Sequence, residues 1–224
     1  MRTSNPAMNA RVFEKAGRVA DPAGAMTVQG TVNKTGFLLL LVVLPAYWIW
    51  NRYAATPEQV GPWVMGGLVV GLIAAMITIF RPKSAGITAP IYAVAEGALI
   101  GGISLIFERK YPGIVMPAVS LTFGTLFVLL GLYKSRVIRV TDKFRAMVFA
   151  ATGAIALVYI VNLVMGFFGT GIPLIHSSGV FGIGFSLVVV GVAALNLVLD
   201  FDFIERGSSA GIPKHMEWYA AFGL

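Results

Sequence analysis

The chain has 224 residues, 57% of them hydrophobic and 12% charged, with a mean hydropathy of +0.82. Soluble domains carry about 25% charged residues, so this much apolar surface points to an integral membrane protein and excludes a disordered chain. The absence of cysteine excludes disulfide scaffolds, thiolate metal sites and a cysteine nucleophile, and the net charge of +7 is spread between apolar runs rather than gathered on one nucleic-acid-binding face.

Residues 1–35 are polar and basic and predict a cytoplasmic N-terminal tail without the apolar core of a signal peptide. Residues 36–224 then read as one transmembrane helical domain. Its apolar runs are 36–53, 61–80, 89–107, 113–133, 146–168 and 179–204. Each has the length of a helix that crosses about 30 Å of hydrocarbon. After a polar segment, 205–217, the chain turns apolar again at Trp218 and ends at Leu224. The fold expected is therefore an all-α integral membrane protein, a bundle of six complete transmembrane helices plus the start of a seventh, truncated at its end.

Lys and Arg set the orientation. With the N-terminus in the cytoplasm, fourteen basic residues lie inside, and only Arg52, Arg109 and Lys110 lie outside. Tyr47, Trp48, Trp50, Tyr53 and Trp63 then fall at the outer interface. His176 is expected in an outer loop and His215 in an inner one, both solvated.

Charge at membrane depth costs at least about 2.5 kcal/mol, so each instance needs a reason. Glu96 lies in the third run, beside a small-residue stripe of Ala93, Gly97 and Gly101. Asp200 lies near the end of the sixth and shares a helix face with Asn196. Asp202 points about 200° away from Asp200, toward headgroups or water, and is a secondary candidate. Arg81, at the inner end of the second run, is placed at a similar level to Glu96 and Asp200. These groups predict a small polar pore or cavity in the cytoplasmic half of the bilayer, with Glu96 and Asp200 as oxygen ligands for a transient calcium ion. Gly67, Gly71 and Ala75 read as a packing face. No G-x-S-x-G elbow, H-E-x-x-H pair or phosphate-binding Gly-Lys motif occurs, so neither an enzyme nor a cofactor is expected.

The string NLVLDFDFIERG at 196–207, followed by GIPKHMEWYAAFGL to the end, resembles the bacterial Bax inhibitor family. So do SNPA at 4–7, MTVQGTVNKTG at 26–36, AVAEGALIGGIS at 93–104 and YPGIV at 111–115. The likeness is to the Bax-inhibitor-like branch and runs over nearly the whole chain. It implies six helices around a central seventh and a pH-sensitive calcium leak in the bacterial inner membrane. It also implies that an aspartate on helix six pairs with an acidic residue on helix seven to close the pore. Asp200 matches the helix-six member, although Asp-Phe-Asp-Phe-Ile stands where the family has Asp-x-Gln-x-Ile. The helix-seven partner is expected beyond Leu224. The partners implied are the lipid bilayer and calcium or protons. The alternative function is a regulatory membrane protein that binds and modulates a membrane-bound AAA protease, with the N-terminal tail as the contact.

Overall fold

The computed structural model describes residues 10–19, 21–135, 137, 140–169 and 179–224. His176, Arg136, Arg139 and the SNPA string lie outside the described residues. The described chain is helical: α1 (Ala10–Lys15), α2 (Val28–Tyr53), α3 (Gly61–Phe80), α4 (Ala85–Lys110), α5 (Val115–Lys134), α6 (Asp142–Phe167), α7 (Val180–Ser209) and α8 (Met216–Gly223). Five spans are long and apolar enough to cross a membrane: α2, α3, α4, α6 and α7, of which α3 and α4 include the short 3-10 turns before them. The fourth run forms α5, whose apolar part, Val115–Leu129, falls among the shorter helices. Five of the six expected full spans are thus shown by length and hydropathy among the described residues.

The chain divides into two compact units. One comprises Ala7–Gly124 and Ile204–Leu224; the other is built on Thr125–Phe203.

In the larger unit α4 is the middle helix, and glycines decide how closely its neighbours approach. A Cβ on Gly97 would collide with the backbone carbonyl of Val42 in α2, and one on Gly101 would stand 2.7 Å from Ala46 Cα. The stripe read at Ala93, Gly97 and Gly101 is thus a seat for α2. From the other side, a Cβ on Gly67 of α3 would lie 2.6 Å from the carbonyl oxygen of Ala95. Such backbone-to-backbone approach needs residues without bulk. Further along the α3–α4 seam the buried hydroxyls of Thr78 and Thr88 share a 2.6 Å hydrogen bond.

The N-terminal region is not a free tail. Thr27 caps α2, which begins eight residues before the first apolar run. Phe13 and Met26 are buried to 2% and 1% exposure. The Met26 amide donates to the Ile212 carbonyl at 2.6 Å, Lys214 donates to Gly24 at 2.8 Å, and Ala25 and Pro213 face each other as an antiparallel bridge. The turn this requires is made at Gly211, whose φ of +69° favours glycine. Composition marks this stretch as polar, but two apolar side chains and a few backbone amides are enough to pin it to the connection between α7 and α8.

In the smaller unit polar side chains link α6 to α7. Asn196 donates to the Thr152 hydroxyl at 2.8 Å and to the Val192 carbonyl at 2.9 Å. Near the start of α6, Arg145 pairs with Asp202 at 3.1 Å and with Asp142 at 2.7 Å.

Candidate functional site

Glu96, Asp200 and Glu217 are three of the carboxylates withdrawn from solvent among the described residues. Glu96 is half-buried near the middle of α4. Tyr92 lies one turn back on the same face of α4, and Gly71 of α3 lies opposite, where a Cβ would come within 3.9 Å of Glu96 Oε2. Glu96 therefore faces the α3–α4 seam. Tyr92 also meets Phe222 of α8 edge-on, with ring centroids 4.9 Å apart.

Arg81 does not share that position. It closes α3 and is exposed. Ten residues separate it from Gly71, about 15 Å along a helix at 1.5 Å per residue. The expected cavity with Arg81 beside Glu96 is not formed, because helix rise carries the guanidinium to the aqueous end.

Asp200, in the other unit, is 4% exposed, between Leu199 and Phe201 on α7. Asn196, one turn back, is committed to Thr152 and to its own helix. Asp202 is not turned out to headgroups: its side chain is 15% exposed and sits on Arg145. The 200° rotation away from Asp200 holds, but α6 covers that side too, and an arginine meets the charge.

The third carboxylate, Glu217, was not legible as a site. It is fully buried in the first turn of α8. Its Oε1 accepts from the Thr27 amide at 2.9 Å and from the Thr27 hydroxyl at 3.1 Å, and its Oε2 takes the Lys34 ammonium. Thr27, Gly30 and Lys34 recur at helical spacing, so one face of α2 presents all three. At Gly30 any Cβ would overlap the carboxylate. The positive end of the α2 dipole adds to the attraction. Burial alone raises the pKa of Glu217, but the donors Lys34 and Thr27 outweigh it and hold the group below the usual carboxylate range. A cavity of about 640 Å³ opens beside it, lined by Gln29, Asn33, Lys34, Phe37, Lys214 and Trp218. His215, just before α8, is half-buried rather than solvated; burial and the nearby Lys83 lower its pKa. The signal in the sequence was faint: one glutamate at the head of a seven-residue apolar stretch.

Among the described residues no three His, Asp or Glu side chains gather as a metal site.

A family model described as Bax inhibitor 1 like matches residues 5–224. The chain belongs to the Bax inhibitor 1 like family. No curated protein and no solved structure matches it. As a Bax inhibitor 1 like protein with several apolar helices, it is a multi-pass membrane protein.

Proposed function

We propose that this Bax inhibitor 1 like protein is a pH-sensitive cation leak of the bacterial inner membrane, with calcium as the ion, the N-terminus in the cytoplasm and no enzymatic activity. Asp200 is its titrating gate. The observation that carries this reading is the burial of Asp200 to 4% exposure on an apolar helix. An ionised carboxylate in hydrocarbon is costly. Its neutral form goes with a dry, closed packing, and its ionised form needs water or a cation. Glu96, half-buried on the α3–α4 seam, supplies a second oxygen site for a hard cation.

The test is calcium flux into liposomes holding the purified chain, measured across pH. The proposal expects flux that rises with pH, and Asp200→Asn should flatten that dependence. Absence of flux at every pH would overturn the leak and move the protease-partner reading ahead.

A further inference from the structure

The Glu217 cluster takes no part in the gate proposed above, yet it joins three pieces of chain that are distant in sequence. The first is the segment leading into α2. Its backbone runs antiparallel to residues 211–214, through the bonds Met26 to Ile212, Lys214 to Gly24 and Val19 to Gly211. The second is the end of α7: a Cβ on Gly207 would meet Met26 Sδ and Phe13 Cε1 at 3.3 Å each. The third is α8, which delivers Glu217 to Thr27 and Lys34 and sets Tyr219 edge-on to Phe13 with ring centroids 6.2 Å apart.

We propose that the N-terminal segment from Phe13 to Thr27 is a strap that holds α8 against α2, with the Glu217 carboxylate as its clasp, and that strap and clasp release together.

Four physical points support this. The polar contacts that close the strap lie at one end of the helices, so water can satisfy each donor and acceptor that opening exposes, and the apolar cost is confined to a few side chains such as Phe13 and Met26. The α2–α4 seam is held separately by Gly97 and Gly101 and does not depend on them. A buried ion cluster contributes little net stability compared with apolar packing, and its best-attested role is to fix one arrangement among several. Finally, the strap reaches a useful target. Ala221 packs with Ala93, and Phe222 with Tyr92, one turn from Glu96. Displacing α8 would uncover the wall beside Glu96. The strap does not depend on which ion, if any, crosses the membrane.

The test uses the full chain in liposomes. The chain has no cysteine of its own, so the pair Ala25→Cys and Pro213→Cys reports strap closure alone. The bonds on either side, 24 to 214 and 26 to 212, make this a non-hydrogen-bonded antiparallel pair. Such pairs hold their Cα atoms about 4.5 Å apart, within disulfide range. The parent pair should oxidise readily within one chain. Gly30→Ala should slow that oxidation at least tenfold, because its methyl lands on the Glu217 carboxylate. It should also speed trypsin cleavage after the exposed Lys15 and Arg18 at least tenfold. Alanine otherwise favours a helix over glycine, so a generally weakened α2 is not the expected cause. Gly207→Leu pushes on Phe13 and Met26, the side chains nearest a Cβ there, and it should produce both changes as well.

Unchanged oxidation in Gly30→Ala would overturn the clasp. Opening by only one of the two variants would overturn release as a unit. Should Gly30→Ala fail to fold, Glu217→Gln keeps the shape and removes the charge. It should open the strap in the same direction, and a fully closed strap in that variant would likewise overturn the proposal.

Discussion

Lys34 and Glu217 stand 183 residues apart in the sequence and meet as an ion pair between the second turn of α2 and the first turn of α8. The glutamate side chain is 1% exposed and the lysine 20%. Removing one partner of a buried pair leaves an uncompensated charge, typically at about 3 to 5 kcal/mol. Lys34 is partly in water, so Lys34→Met should cost about 3 kcal/mol. Changing both residues to apolar ones of similar size should recover most of that loss. Unfolding in mixed detergent micelles measures all three chains.

Two groups make stability depend on pH in the same sense. Burial alone raises the Glu217 pKa, but the donors Lys34 and Thr27 outweigh it and hold the group below its ordinary value of 4.5. The folded chain therefore takes up this proton less readily than the unfolded one. The stability it contributes is complete above 4.5 and is lost as pH falls through the folded value. His215 is held below its ordinary 6.5 by burial and by Lys83. Its contribution is complete above 6.5 and is lost as pH falls through the lower folded value. The melting temperature in detergent should thus decline in two stages on acidification. His215→Asn should remove the earlier stage and Glu217→Gln the later one. A chain that melts at one temperature from neutral pH to below 4.5 would contradict both assignments.

Close approach of α2 and α4 depends on Gly97, where any Cβ would overlap the Val42 carbonyl. Backbone does not move aside as a side chain does. Gly97→Val should therefore cost at least the ~1–3 kcal/mol usual for overpacking and should lower the yield of folded protein. Gly36→Ala on α2 meets nothing within 4 Å and serves as the control. Its melting temperature should match or slightly exceed that of the parent.

Asp200 and Asp202 should separate in function. Asp200→Asn should flatten the pH dependence of calcium flux. Asp202→Asn should leave that dependence and instead weaken the contact with Arg145, by roughly 1.5 to 3 kcal/mol as for a hydrogen bond to a charged group. Flux that loses its pH response in Asp202→Asn alone would reverse the roles. Glu96→Gln should fold normally and change cation permeability. Unaltered flux would make Glu96 a packing residue on the α3–α4 seam.

The orientation rests on the distribution of Lys and Arg. A reporter fused after Gly169 should be found outside the cytoplasm, and one fused after Lys143 inside. The reverse pattern would invert the molecule and the side from which Glu217 and its strap are reached.

The sequence by itself determined the class, the family and most of the spans. Hydrophobic runs are a local property, and lipid demands that each run close its own backbone hydrogen bonds as a helix. The small residues at Gly67, Gly97 and Gly101 were legible as packing faces for the same reason, since their spacing is local. Which helix each face meets was decided only by tertiary structure: Gly97 and Gly101 seat α2, while Glu96, one residue from Gly97, turns to α3. Arg81 was placed near Glu96 by run boundaries, and the rise of α3 carries it away. The polar segment before α2 and the glutamate of MEWY carry no periodic signal. Their meaning comes from a contact across 190 residues, Thr27 to Glu217, where a helix start lacking partners for its amides meets a carboxylate that burial would otherwise penalise. No local pattern encodes that exchange, because each group is unfavourable alone and becomes stable only when the fold brings the two together.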